Sequence, residues 1–307
     1  MVLGLAFISM HFAAPSVYYV IATRWLRSSD GLRRITELSV NSPFVSIIIP
    51  TYNEAEMIAQ KLDNIYSQGY PRDLFEVIIV DSGSTDGTVE RVREWVRDHG
   101  DVNVRIIEEG VRRGKAHALN TALRHAKGDI IVITDADSLW MSDSLRNAVY
   151  WLMNDDVGAV SCSKVPRTDR GIESEYRGYY GLLRIAESRR FSTAIFHGEL
   201  AAYRRELLEK IGGFPTDVGA DDSYTAGLIS MMGYRAIIPE DVKCIEYVPS
   251  RGYWSWRVRR AQHLIQHFSR ILRHIVFNGR GVPREYRQVM LYESYLHLIN
   301  PWLFAAG

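Results

Sequence analysis

Short, uninterrupted apolar runs alternate along the first half of the chain with segments whose apolar residues recur every three or four positions. Val45 to Ile49, "VSIII", reads as a buried strand ending at Pro50, followed by a helix from about Glu54 to Gln68. Phe75 to Val80, "FEVIIV", is a second strand and Asp86 to Asp98 a second helix. Val104 to Ile107 and Asp129 to Thr134 give two further strands around a helix over Lys115 to Ala126. Ser142 to Met153 reads as helix and Val157 to Cys162 as a fifth strand. Continuous rather than alternating apolar strands, separated by helices, predict an α/β fold with a mostly parallel sheet covered on both faces. After about residue 165 the alternation breaks. Residues 170–190 are mixed and rich in Arg, Glu and Tyr. Helices are expected over Arg204 to Lys210, ended by Gly212 and Gly213, and from about Asp222 to Met232.

The ends follow a different pattern. Met1 to Thr23 has no Asp, Glu, Lys or Arg; as a helix it is about 34 Å long, enough for a bilayer core. It lacks the basic start and small-residue cleavage site of a signal peptide. Arg24, Arg27, Arg33 and Arg34 follow against one Asp30, which by the positive-inside rule puts the following residues in the cytoplasm. Pro15 and several small residues keep a buried hydrophobic helix as the other reading. Leu296 to Ala306 is apolar but too short to span, so a second membrane segment is expected to begin there. Trp254, Val258, Ala261, Ile265, Phe268, Leu272 and Ile275 form one helical face, flanked by a stripe of Arg260, His263, His267, Arg270 and His274. Such a basic amphipathic helix fits a membrane interface, or a helix packed on the domain with its basic face in water. His263 and His267 have no third ligand in the pattern and are expected to be solvated or lipid-facing.

Composition adds two limits. Net charge is +1, which gives no case for nucleic acid as a partner. The two cysteines, Cys162 and Cys244, both lie in apolar runs. They read as buried free thiols of a reducing compartment, with a spacing wrong for zinc.

The chemistry gathers where strands end. "PTYNE" (Pro50 to Glu54), "VDSGSTDGT" (Val80 to Thr88) and "TDADS" (Thr134 to Ser138) close three strands taken to be adjacent. They deliver Asp81, Asp135 and Asp137 to one rim, with Thr51 and Asn53 nearby. Parallel sheets bind ligands at such ends. Three carboxylates there are costly unless a cation sits between them, and Mg²⁺ is commonly held by one or two carboxylates plus phosphate oxygens. Asp81 is placed to accept the ring N–H of uracil or guanine. Arg112, Arg113 and Lys115 in "RRGKAHALN" precede a helix, a combination suited to a diphosphate; the "GK" is not a P-loop. Ser84 to Gly87 reads as a turn capped by Asp86.

In this order, "PTYNE", "VDSGSTDGT", "GKAHALN" and "TDADS" resemble a family 2 glycosyltransferase of the GT-A fold over about residues 44–250. "FHGELAAYRRELLEKIGGF" (Phe196 to Phe214) resembles the family's acceptor-side segment and "GADDSYTAGLISMMGYR" (Gly219 to Arg235) its catalytic-base segment. The apolar ends resemble the membrane-bound branch that includes cellulose and hyaluronan synthases; dolichyl-phosphate sugar synthases share the core motifs.

The resemblance implies a nucleotide-sugar site of Pro50, Thr51, Tyr52, Glu54, Asp81, Lys115, Asp135, Ala136 and Asp137. Asp81 would meet the base, with Thr51 and Glu54 lining its pocket; Asp135 would meet the nucleotide-sugar, and Asp137 would bind Mn²⁺ or Mg²⁺. Asp222 would be the general base of an inverting transfer. His197, Gly198, Glu199, Asp221, Arg259 and Arg260 would lie on the acceptor side or in support. The expected organisation is a transmembrane helix over 1–26, a cytoplasmic linker over 27–43, the catalytic domain over 44–250, amphipathic interfacial helices over 251–287, and the start of a membrane segment over 288–307.

The processive synthases carry Gln-x-x-Arg-Trp on the interfacial helix, whereas Tyr253 to Leu264 reads "YWSWRVRRAQHL". The expected activity is therefore non-processive: a metal-dependent, inverting transfer of a mannose- or glucose-type hexose. The donor would be a GDP- or UDP-sugar, and the acceptor a polyprenyl or dolichyl phosphate or a lipid-linked oligosaccharide. The catalytic domain would face the cytoplasmic side of the membrane. Asp222 tilts the acceptor toward a hydroxyl, because a lipid phosphate needs no base. Processive synthesis is the alternative. More remote are a phosphatase with Asp135 as nucleophile, against which Leu139 and the late strand position speak, and a non-catalytic membrane scaffold.

Overall fold

The computed structural model describes residues 2–27, 42–165, 172–245 and 252–307. Most of the expected linker, with Asp30, Arg33 and Arg34, lies outside the described residues.

Chain order begins with helix α1 (Val2–Leu26). The alternating core follows: β1 (Val45–Thr51), α2 (Ile58–Tyr66), β2 (Phe75–Asp81), α3 (Thr88–Asp98), β3 (Asn103–Glu108), α4 (Lys115–Leu123), β4 (Ile130–Ile133), β5 (Leu139–Trp140), α5 (Ser144–Leu152) and β6 (Val157–Ser161). The second half holds β7 (Ser163–Val165), α6 (Ile172–Arg190), β8 (Ala201–Arg204), α7 (Arg205–Lys210), α8 (Asp221–Met231), β9 (Arg235–Ile237) and β10 (Lys243–Ile245). Helices α9 (Tyr253–Asn278), α10 (Arg284–Ser294) and α11 (Asn300–Ala306) close the chain, with a π-helical turn over Tyr295–Ile299.

Seven strands form the main sheet in the order β3-β2-β1-β4-β8-β6-β9, with β8 antiparallel to both neighbours and the other pairs parallel. A small second sheet runs β5-β10-β7. The apolar runs explain the layering, since successive residues of a strand point to opposite faces. Ile47, Ile49, Val77 and Ile79 pack under α2, α3 and α5; Ile48, Ile78 and Val80 pack against α4 and α8. Each of these isoleucines and valines is wholly or almost wholly buried, a burial of about 1.5–3 kcal/mol apiece.

Gly158 in β6 is there for space. A Cβ would lie 2.6 Å from Ile229 Cγ2, 2.7 Å from Leu207 Cδ1 and 2.9 Å from Tyr234 Cβ. Gly158→Ala is expected to overpack the face under α7 and α8 and cost about 1–3 kcal/mol, read as a lowered unfolding midpoint. An unchanged midpoint would mean those side chains yield freely.

Four expectations change. Cys162 and Cys244 are not free thiols: they form a disulfide with Cα atoms 5.7 Å apart. The cause is the small sheet, where β10 pairs with β7 and lays Cys244 beside the end of β6; their 82-residue separation hides this in the sequence. The free-thiol reading falls with it. Residues 172–190 form one helix rather than a mixed segment. Asp86 does not cap its helix directly: the helix starts at Thr88, and Asp86 Oδ1 accepts from the Thr88 amide (3.1 Å) and hydroxyl (2.5 Å).

The fourth change concerns α9. Its basic stripe turns toward the catalytic domain. His267 is fully buried, 3.0 Å from the Ala194 carbonyl, and is neither solvated nor lipid-facing; His263 lies close against the backbone of Gly219. The expected apolar face is split: Phe268 packs inward, while Trp254, Val258 and Ile265 are exposed.

Candidate functional site

An open cleft of about 550 Å³ lies at the carboxyl ends of β1 and β4. Of the residues expected at the site, Pro50, Thr51, Tyr52, Glu54, Lys115, Asp135, Ala136 and Asp137 line it. So do His197, Gly198, Glu199, Asp221, Asp222, Arg259 and Arg260. Asp81 does not line the cleft directly. Its Oδ1 accepts from the hydroxyls of Thr51 (3.0 Å) and Ser84 (2.5 Å), and its Oδ2 from the amides of Gly83 (3.1 Å) and Ser84 (2.9 Å). All four lone-pair sites are thus in use shaping the turn after β2.

The loop after β4 is bolted from below. Thr134 Oγ1 (2.6 Å), Ser138 Oγ (3.2 Å) and Trp140 Nε1 (2.7 Å) all donate to the Glu199 carbonyl. Lys61, fully buried in α2, donates to the Ser138 carbonyl at 2.9 Å and sits 4.3 Å from the Trp140 ring centre. Burial lowers the Lys61 pKa to about 7, although Asp135, Asp137 and Glu199 pull it upward. The Asp135–Ala136–Asp137 turn is therefore held by buried hydrogen bonds from two sides.

Charge in the cleft is unbalanced toward the negative. Burial, then Asp137 and Asp135, push Glu54 up to about 7; burial, then Asp135, raise Asp137. Lys115 Nζ bonds Asp135 at 2.6 Å. Burial works against its ammonium, but Asp135, Asp221 and Asp222 more than offset this and hold it above the usual lysine range. Among the described residues no three His, Cys, Asp or Glu side chains form a ready-made metal cage. Mutually repelling carboxylates beside an open cleft instead fit a divalent cation completed by phosphate oxygens.

On the far side stand Asp221 and Asp222, in the first turn of α8. Asp222 Oδ1 accepts from the Ser223 amide at 2.6 Å. Burial, then Asp221, push Asp222 up to about 7; burial raises Asp221 as well. Gly198 sits between the two halves. A Cβ there would lie 3.0 Å from Lys115 Nζ, 3.2 Å from Asp222 Oδ2 and 3.6 Å from Asp135 Oδ2. Absence of a side chain at 198 thus leaves room where the lysine and both carboxylates converge.

Two contributors, Lys164 and Lys61, were not assigned roles from the sequence. Lys164 pairs with Glu199 at 2.6 Å, and Trp256, stacked under Arg260 at 4.7 Å, closes the cleft with His263. Nothing local marks Lys164, which lies on a three-residue strand. Lys61 had a signal: it falls beside Ile58, Leu62 and Ile65 on the apolar face of α2, where a charge needs a reason. Arg112, read as a diphosphate cation, stacks 4.1 Å over the Tyr52 ring at the rim.

Comparison with known proteins agrees with this architecture. The chain is 53% identical to the mannosyltransferase PcManGT of Pyrobaculum calidifontis, solved with GDP-Man and Mn²⁺. That similarity covers 99% of this chain and 84% of that one, with a TM-score of 0.91. TarS 1–349 of S. aureus, solved with UDP-GlcNAc, shares the fold at 18% identity and a TM-score of 0.52, over 84% and 89% of the two chains. A poly-beta-1,6-N-acetyl-D-glucosamine synthase of Staphylococcus epidermidis is 25% identical over 268 residues, 83% of this chain. The chain spans 62% of the length of that relative. Residues 130–305 match Glycosyl transferase family group 2, and residues 46–212, which carry every strand-end motif of the cleft, match Glycosyl transferase family 2. With more than half its length in that match, and the parallel sheet and acidic rim in place, the chain belongs to glycosyl transferase family 2, with a GT-A fold.

Proposed function

We propose that the chain transfers mannose from GDP-mannose to a hydroxyl of a lipid-linked acceptor at a membrane, with inversion, one sugar per encounter. The observation that carries this reading is the convergence of Lys115, Asp135 and Asp222 on Gly198. It sets a cation and a donor-side carboxylate against a base-side carboxylate across a gap one side chain wide. The mannose donor is supported by the similarity to PcManGT, which was solved with GDP-Man and Mn²⁺.

Asp137, with Asp135 and Glu54 beside it, would hold Mn²⁺ or Mg²⁺. When bound, the ion supplies positive charge against the departing nucleoside diphosphate. Lys115 adds a second positive charge on the same side. Asp222 takes the proton from the acceptor hydroxyl as its oxygen bonds to the anomeric carbon. The bond from that carbon to the diphosphate oxygen breaks with its electron pair on the leaving group. Attack from the face opposite the leaving group gives inversion. Asp81 reaches the base only by giving up one of its turn contacts, so base binding would reshape the loop Ser82–Ser84.

A base titrating at about 7 fixes a pH dependence. Only the carboxylate can accept the proton, so kcat/KM should fall as pH drops through about 7 and level off above it. A flat profile from pH 6 to 8 would remove Asp222 from this role.

The membrane reading rests on two surfaces. Helix α1 is long and apolar enough to cross a membrane and is mostly unburied, and α9 leaves Trp254, Val258 and Ile265 outside while Arg260, His263 and His267 turn inward. Arg24 and Arg27 at the end of α1 favour a cytoplasmic catalytic domain. Processive synthesis is the second reading, because curated relatives are named as polymer synthases. A panel of nucleotide-sugars with Mn²⁺ and a polyprenyl-linked lipid extract separates these. GDP-mannose turnover to a product longer by one sugar is expected. Preference for a UDP-sugar would overturn the donor, and polymer would overturn the single transfer.

A further inference from the structure

His197 is fixed more firmly than a surface histidine needs to be. Its amide donates to Ser161 Oγ at 3.1 Å, and the same hydroxyl donates to the His197 carbonyl at 2.8 Å. Its ring Nδ1 lies 2.9 Å from the carbonyl oxygen of Cys162, on a backbone pinned by the Cys162–Cys244 bridge. A carbonyl can only accept, so the proton of the neutral ring is on Nδ1. Burial, then Lys164 with Arg260 adding to it, push the ring's pKa down to about 3, so it stays neutral throughout the working range. Nε2 is then a bare lone pair. No hydrogen bond to Nε2 exists among the described residues, and the ring lines the cleft beside Gly198.

The surrounding charges do not compete for this nitrogen. Lys164 is paired with Glu199 at 2.6 Å; burial opposes the Glu199 carboxylate, but Lys164, with Arg260 adding to it, holds it well below its usual range. Arg260 stacks on Trp256. The reacting hydroxyl has one proton, and Asp222 takes it, so that hydroxyl has none left for His197. A lipid phosphate dianion has no proton to offer and would set its charge against the lone pair.

We propose that His197 Nε2 accepts a hydrogen bond from a second, non-reacting hydroxyl of the acceptor, which makes the acceptor terminus a sugar with at least two free hydroxyls rather than a lipid phosphate. This rests on the transferase reading above, with Asp222 as base. His197 acts as a specificity residue: it orients the acceptor sugar so that its neighbouring hydroxyl faces Asp222.

The test uses the full chain in detergent with GDP-mannose and Mn²⁺. Polyprenyl phosphate and a polyprenyl-diphosphate-linked disaccharide are offered in parallel. Wild type should prefer the disaccharide. His197→Phe keeps a ring without the acceptor atom. It should raise the KM for the disaccharide about tenfold, the size of one lost hydrogen bond, with the donor KM within about twofold of wild type. His197→Gln, whose amide oxygen can stand near Nε2, should recover most of that loss, and the pH limb near 7 should stay in place. Preference for polyprenyl phosphate, an unchanged acceptor KM in His197→Phe, or a Gln variant no better than Phe would overturn the inference while leaving wild-type transfer intact. Absence of metal-dependent GDP-mannose turnover in wild type would instead sink the transferase reading, and this inference with it.

Discussion

Asp222→Asn is expected to lower kcat about a thousandfold while donor affinity stays within a few fold of wild type. General-base catalysis is worth about 10²–10⁴ in rate, and the change removes the proposed proton acceptor with almost no change in side-chain volume. The Ser223 amide keeps an oxygen to donate to, since Asn retains the Oδ1 that accepts at 2.6 Å. Lys115 keeps its 2.6 Å partner Asp135, so the donor side should stand. Steady-state rates beside calorimetric titration with GDP-mannose separate the two effects. Residual turnover within tenfold of wild type would move the base elsewhere, with Asp221 the next carboxylate in line.

Asp137→Ala should have an effect of similar size by a different route. It removes the carboxylate that would hold the divalent ion, so metal-dependent donor binding should weaken by at least about a hundredfold, a loss expected when a ligand rather than its support is removed. The fold should survive. Asp137 raises Glu54 by repulsion and is itself raised by burial and by Asp135, so its loss relieves the acidic rim. The turn around it remains bolted through Thr134, Ser138 and Trp140 to the Glu199 carbonyl. Titration of GDP-mannose with and without Mn²⁺ checks this. A mutant whose donor affinity still rises with Mn²⁺ as in wild type would place the ion on other residues.

The parallel half of the molecule is legible because its strands are long apolar runs with a single meaning. β1, β2 and β4 lie side by side in the sheet, and the motifs closing them meet at one rim. Pairs such as Thr51 with Asp81 stand in register at the last residues of two strands. The remainder was illegible for a different reason. β5, β7, β9 and β10 are two or three residues long, too short for any periodicity, and what they do is bring distant residues together. The Cys162–Cys244 disulfide and the Lys164–Glu199 pair both depend on that small sheet.

Helix α9 misled in another way. Its apolar and basic stripes are both present in the sequence, but periodicity does not say which stripe meets the protein. Here Arg260, His263 and His267 face inward over the cleft and the buried Ala194 carbonyl, while half of the apolar stripe faces out. The general rule of apolar-inward packing assumes one apolar face; here that face is split, with Phe268 in the core and Trp254, Val258 and Ile265 exposed. Lys61 shows the same kind of override inside the core. A charged residue on a buried helical face looks like an error in the pattern until the Ser138 carbonyl above it is seen.

Stereochemistry at the anomeric carbon tests the central claim most directly, because the proposed direct displacement with Asp222 as base permits only one outcome. Proton NMR of the product formed by the wild-type chain from GDP-mannose, Mn²⁺ and a lipid-linked acceptor reads it. The predicted result is a glycosidic bond of the configuration opposite to that of the donor. A product that retains the donor's configuration would contradict Asp222 as the base of a direct displacement.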